Sequence, residues 1–567
     1  MKIEENLKNL IKEGLKSLSV QAESIILEHP TNVANGDYST NAALIYGKEL
    51  NKNPRELAGE IFRYIERNQP KEAERIEVAG PGFINFYLSK NFFTDVTTQI
   101  LKEKENWGKN ENFLGQKIVI EYTQPNPFKE FHIGHLVNNI VGEAISRIIE
   151  AEKPELKRVT YHGDVGLHVA KAIWAMKRIS DFRFQISDLG KAYAEGDKAY
   201  EENEEAKKEI TEINKKIYEK SDPKINKLYK QGRELSLKHF EEIYTRLGSK
   251  FDHNFFESEA GKIGKELVEK FLKKNLSADK VGIFEKSEGA IIFSKEKSGL
   301  HTRVFINSEG LPTYEAKDLG LIQLKKDFFD FDRSITVTDV EQAEYYKVVM
   351  KAAEFIFPKL KGKIEHISHG RLRLPEGRMS SRTGNIIGGE TLLNDLRALA
   401  VDKMKEREIK NKKEIADQIA VAALKYSILK QAPGKSIIFD YEKSLSFEGD
   451  SGPYLQYTAV RAKAILEKAK EEKIEPGLNT GKEVIGIEQF LYRFPGVVER
   501  SAKEYSPHQI LSFLLELAGI FNSFYAKEKI VDKGNKNSSY RIALTEAVFL
   551  TLKNGLDLLG IKVPEKM

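Results

Sequence analysis

The chain has 567 residues, no cysteine, 40% apolar and 31% charged residues, and a formal net charge of only +5. Its length suggests about three to five domains. The missing thiols exclude disulfides and thiolate zinc sites and are compatible with a reducing compartment, and the near balance of charge confines any nucleic-acid surface to a local basic track.

The first segment, MKIEENLKNLIKEGLKSL, spaces its apolar residues as an amphipathic helix does and lacks the apolar core of a secretory signal. No stretch approaches the ~20 apolar residues of a membrane span, so a soluble, cytoplasmic protein is expected. Ile76 to Leu88, IEVAGPGFINFYL, reads as strand, Gly-Pro-Gly turn and strand, a hairpin within a small α+β domain. Lys117 to Tyr122, KIVIEY, predicts a buried parallel strand, and apolar helical periodicity resumes over Leu136 to Ile149. Strand, proline-marked loop and helix form the opening unit of a nucleotide-binding α/β domain.

The loop in that unit reads PNPFKEFHIGH. His132 and His135 fall on one face of a first helical turn, and Gly134 removes a side chain where a planar ring could lie against the backbone. A helix amino end favours phosphate through its free amides and dipole, so the tetrapeptide points to ATP, against the plain alternative of two surface histidines beside a glycine.

Ala192 to Leu247 is rich in Lys and Glu with widely spaced apolar residues, which predicts exposed antiparallel helices inserted into the α/β domain. Strand-like runs at Gly289–Phe293, Thr302–Ile306 and Ser334–Val337 are expected to complete the sheet. In GRMSSRTG, Gly377 to Gly384, two guanidiniums bracket two hydroxyls in a loop that could hold a polyphosphate; taken alone, it reads better as a solvated basic turn. From Glu390 onward the pattern is helical. The expected fold class is α/β: a Rossmann-type parallel-sheet catalytic domain (113–172 and 286–388) with a helical insertion (173–285), an α+β N-terminal domain (1–112) and an all-α C-terminal bundle (389–567).

HIGH followed by RMSSR resembles the paired HIGH and KMSKS signatures of class I aminoacyl-tRNA synthetases, and more closely the arginyl-tRNA synthetases. GDYSTNAA, VAGPGFINF, EYTQPNPFKEFHIGH, YHGDVGLH, PTYEAKDLG, SFEGDSGPYLQY and LGIKVPEKM extend the resemblance over nearly the full length. It departs from the family at Gln124, where a serine is usual, and at Thr383, where a lysine is common.

The resemblance implies activation of L-arginine by ATP, then transfer to the 3′-terminal adenosine of tRNA(Arg). Glu121, Tyr314 and Asp318 would hold the guanidinium, which needs paired acceptors; Tyr314 and Asp318, four apart, share a helix face. Asn126 and Gln342 would fix the α-amino and carboxylate groups beside Gln124, although Gln342 is equally readable as one polar residue of a helix. His132, Gly134, His135, Lys129, Arg378, Ser380, Ser381 and Arg382 would carry the phosphate chemistry, with Met379 and His369 also at the ATP. Mg2+ would arrive with ATP, with no dedicated protein site. The two ends would read tRNA, Phe83 and Asn85 of the hairpin contacting an unpaired base, unless Phe83 is simply core. A monomer is expected. A small-molecule adenylate-forming ligase, or a synthetase-like paralogue that grips tRNA without charging it, are the alternatives.

Overall fold

The structure, a computed structural model, describes residues 2–179, 182–273, 283–373, 388–405, 410–478 and 486–567. The chain divides into two compact units, one of residues 1–109, 458–499 and 513–555, the other of residues 110–457, 500–512 and 556–567.

In the first unit the expected hairpin is present: Ala73–Ala79 and Phe83–Leu88 pair antiparallel, and Tyr38–Thr40 adds a third strand beside Phe83–Leu88. Its turn uses Gly80 and Gly82, both at positive φ. Helix Lys2–Ser17 buries Ile3, Leu7, Ile11 and Leu15, the apolar stripe its spacing predicts. Later segments of the chain join this unit through an aromatic cluster in which Tyr492 lies 5.9 Å from Tyr38 and 5.6 Å from Phe92.

The second unit is built on a five-stranded, all-parallel sheet ordered Ile364–His369, Arg333–Asp339, Lys117–Glu121, Glu155–His162, His253–Phe256. Ile118, Val119 and Ile120 are fully buried, as expected for strands covered on both faces, and each such side chain contributes roughly 1.5–3 kcal/mol of burial. The chain runs outward from Lys117–Glu121 to His253–Phe256 and then returns to its other side as Arg333–Asp339. This reversal makes a switch point, and in open α/β sheets the crevice beyond the strand carboxyl ends at such a point is where ligands bind.

One expectation is corrected. Ala290–Phe293 and Arg303–Ile306 do not join the parallel sheet; with Glu285–Ser287 they form a separate antiparallel sheet. Short apolar runs state that a strand exists but not which strand it pairs with. The insertion is helical as read, with helices Ile186–Glu202, Glu204–Glu219 and Pro223–Leu247. Asn203 and Asp222 cap the last two by accepting backbone N–H groups. Helix Pro507–Lys527 is, against expectation, long and apolar enough by length and composition to cross a membrane, while its Leu514, Leu517, Ala518 and Phe521 are fully buried.

Candidate active site

Helix Ile133–Glu150 starts at the carboxyl end of the central strand, with His132 as its N-cap. The His132 Nδ1 accepts the Gly134 N–H at 3.1 Å, and the His135 Nδ1 accepts the His132 N–H at 3.2 Å. Both rings therefore carry their proton on Nε2 when neutral. The rings stack with centroids 3.6 Å apart, and a Cβ on Gly134 would lie 2.9 Å from the His132 ring. Burial, then Lys129, lowers the His132 pKa, and burial with His132 drives that of His135 well below the ordinary value. The pair is thus a neutral set of Nε2–H donors. Lys129 lies over the Tyr193 ring at 5.2 Å, and burial lowers its pKa too.

The chain re-enters the described region at Gly388, which bridges antiparallel to His132, and Gly389 donates to the Phe131 carbonyl at 2.8 Å. Arg378, Met379, Ser380, Ser381 and Arg382 lie outside the described residues.

Beside this helix end opens a cavity of about 490 Å3 lined by Gln124, Asn126, Tyr314, Asp318, Gln342 and Tyr345, among others. Five sequence-predicted residues are thereby brought together. Tyr314 and Asp318 share the first turns of helix Tyr314–Phe328. That helix crosses helix Glu257–Lys273 at very close range: a Cβ on Gly264 would lie 1.8 Å from the Ala316 carbonyl oxygen, and one on Gly320 2.0 Å from that of Ala260. The crossing brings Glu257, which nothing in its local sequence singles out, into the cavity wall with its carboxylate 2.7 Å from the Lys317 ammonium.

Asp318 is 9% exposed and accepts the Tyr345 hydroxyl at 2.6 Å. Burial, and after it the neighbouring Glu121, raises its pKa to about 7 against the lowering hydrogen bond from Tyr345. Among the described residues it has no ion-pair partner. Asn126 accepts the Gly163 N–H at 3.1 Å, and Gln342 ends a short 3-10 turn, Val340–Gln342, rather than sitting within the following helix.

Glu121 differs from its expected place. It is fully buried, does not line the cavity, and is ion-paired to Lys325 and hydrogen-bonded by the Gln124 amide. Lys325 is itself 2% exposed and donates to Thr336 at 3.2 Å. A charge this deep requires a partner, and Lys325 supplies it. His369 is buried and does not line this cavity; it borders a small void of about 20 Å3 with residues such as Val141 and Ile428.

In the first unit Phe83 is 37% exposed and not core. Asn85 is buried and accepts the Ser39 hydroxyl at 2.7 Å, so its carbonyl oxygen is already engaged.

Comparison with known proteins agrees with this geometry. The family described as tRNA synthetases class I (R), catalytic domain, matches residues 96–441; the DALR anticodon binding domain matches 455–567, and the Arginyl tRNA synthetase N terminal domain matches 5–88. An arginine–tRNA ligase of Clostridium acetobutylicum is 29% identical over 99% of this chain and 100% of its own, and one of Borrelia hermsii is 30% identical with all of both chains covered. Among solved structures, the Thermus thermophilus arginyl-tRNA synthetase aligns with TM-score 0.82 and 25% identity, covering 99% of this chain and 100% of the other. The Plasmodium falciparum arginyl-tRNA synthetase, 22% identical over 100% of this chain and 99% of its own, shares the fold at TM-score 0.78. With the catalytic-domain match spanning more than half of its length and a relative at 30% identity aligned from end to end, the chain belongs to the arginyl family of class I tRNA synthetases.

Proposed function

We propose a residue-level division of labour for the reaction of this family. The chain is an arginine–tRNA ligase. An arginine carboxylate oxygen attacks the α-phosphorus of ATP, the bond to the bridging oxygen breaks, and pyrophosphate leaves. The 2′-hydroxyl of the terminal tRNA adenosine then attacks the arginyl carbonyl, releasing AMP. The first step needs no general base, because the nucleophile is already an anion, so catalysis consists of positioning and charge stabilisation.

The observation that carries the assignment is Asp318, a carboxyl group buried in the cavity wall with Tyr345 as its hydrogen-bond donor. A guanidinium supplies the missing cation and satisfies the remaining acceptor positions. Tyr314 and Glu257 flank it, and Gln124, Asn126 and Gln342 receive the α-amino and carboxylate end. Glu121 acts one layer beneath, as part of the Lys325 pair. His132 and His135 donate Nε2–H groups to the triphosphate, with Lys129 beside them. Arg378, Ser380, Ser381, Arg382 and Met379 complete the nucleotide side, Gly134 keeps the rings against the backbone, and His369 supports the site from outside the cavity.

Mg2+ enters on the phosphates of ATP, consistent with an ion that keeps its waters and substrate oxygens. Residues 389–567 take the anticodon arm and 1–112 the tRNA elbow, where the exposed Phe83 ring offers a stacking platform. The working unit is a cytoplasmic monomer. The test is arginine-dependent exchange of pyrophosphate into ATP with cognate tRNA present, followed by charging of that tRNA. Exchange with arginine alone among the amino acids is expected. No exchange with any amino acid would sink the reading in favour of a tRNA-binding paralogue.

A further inference from the structure

Four successive residues between the central strand and the HIGH helix each meet the helical insertion. Phe128 is 1% exposed with φ +68°, a left-handed backbone uncommon for an aromatic residue. Its ring belongs to the insertion's own core, with Leu189, Ile210 and Ile225, and stacks on Tyr229 at 6.4 Å. It enters a notch in helix Pro223–Leu247 that exists because residue 232 is glycine: a Cβ there would lie 2.2 Å from the Phe128 Cε1. Ser236, fully buried one turn further on, donates its hydroxyl to the Gly232 carbonyl at 2.8 Å and accepts the Phe128 N–H at 3.0 Å. Lys129 follows over Tyr193, a Cβ on Gly190 would lie 3.0 Å from the Glu130 carboxylate, and Phe131 faces Phe240 at 6.1 Å.

We propose that Gly232 and Ser236 are positioning residues for the ATP half of the site: they latch Phe128 and thereby fix the loop that presents Lys129 and His132 to the triphosphate. This rests on the ATP roles proposed above for those two residues. A buried amide N–H must be satisfied, and the Ser236 hydroxyl satisfies it only while the ring occupies its notch. The Lys129 N–H donates to the Asn126 carbonyl at 3.2 Å, but the arginine side also has tethers of its own, through Thr160 to the Gln124 N–H at 3.3 Å and through Gly163 to the Asn126 side chain at 3.1 Å. Disturbing the latch therefore has an effect selective for ATP, since a shift of roughly 1 Å in a positioning loop is enough to lose most of its contribution.

The test measures equilibrium binding of Mg-ATP and of arginine separately on the full chain, with the melting temperature and the pyrophosphate-exchange KM for ATP in parallel. G232A, whose methyl group collides with the ring, is expected to weaken ATP binding about tenfold, and S236A, which strands one buried N–H, about threefold or more. Arginine binding stays within about twofold in both. The double variant F128L/G232A, which frees room for the methyl group, recovers most of the ATP affinity. Should G232A fail to fold, S236A and F128A carry the same comparison.

ATP affinity unchanged in folded variants, equal losses for ATP and arginine, or a double variant that regains its melting temperature but not its ATP affinity would each overturn the latch. A wild-type chain that binds ATP and shows the selective loss, yet supports no arginine-dependent exchange, would remove the arginine reading and leave the latch standing. No ATP binding by the wild type would remove both.

Discussion

The two halves of the active site handle charge in opposite ways. On the arginine side three carboxyl groups crowd a buried wall, and two of them already have cations: Lys325 for Glu121 and Lys317 for Glu257. Asp318 is left with a tyrosine hydroxyl. On the nucleotide side burial lowers the pKa of both histidines, and the two stacked imidazoles present neutral donors. One half lacks the cation that arginine brings. The other sets two neutral imidazoles beside the Lys129 ammonium, and aimed dipoles of this kind act strongly in a dry site.

The largest test of this contrast removes a cation from beneath the arginine wall. K325M leaves Glu121 buried and unpaired, with an expected loss of about 3–5 kcal/mol of folding stability, read by denaturant unfolding, and E121Q/K325M should recover much of it. A K325M chain as stable as the wild type would show that the pair is not what neutralises the floor. On the other half, H132A and H135A should each lower the rate of adenylate formation by about 10²–10³-fold with arginine binding unchanged, measured by single-turnover formation of pyrophosphate. Loss of arginine binding in these variants would merge the two halves into one.

Next in size, D318N keeps shape and removes charge. Arginine KM should rise about a hundredfold, given ~2–4 kcal/mol for a desolvated charge pair, while ATP binding moves little. Equal losses for both ligands would refute the role of Asp318. The smallest effect is in pH. The Asp318 pKa is raised from 3.8 to about 7, and the guanidinium requires the carboxylate. Arginine affinity is therefore expected to fall about tenfold per unit below pH 7 and to level off above it, and D318N should flatten the profile. The stability term has the reverse sign. A raised folded-state pKa means that the contribution from Asp318 is present below the ordinary carboxyl range and is lost as pH climbs to about 7, so the free protein loses stability over the window in which it gains arginine affinity.

How much of this was readable beforehand follows from distance along the chain. The strand, loop and HIGH helix occupy one contiguous stretch, so their spacing placed the imidazoles on the first turn, and the same holds for Tyr314 and Asp318 on one helix face. Glu121 ends the central strand, as its place in KIVIEY predicts, yet it does not line the cavity. Its partner Lys325 sits on a helix whose pattern shows only one more charged residue. The assignment of Ala290–Phe293 and Arg303–Ile306 to the parallel sheet failed for the same reason.

The sequence by itself determined the parts whose chemistry is local: the helix start at HIGH, the hairpin, the long insertion helices, and the four-residue spacing of tyrosine and acid. Only the tertiary structure decided which carboxylate is left unpaired, that Glu257 enters the arginine cavity, and that Phe128 is held by a serine 108 positions away. Periodicity reports which face of an element is buried. It does not report what that face is buried against, because the partner is chosen by packing and pairing between segments far apart in sequence, and a buried charge takes its meaning from that partner alone.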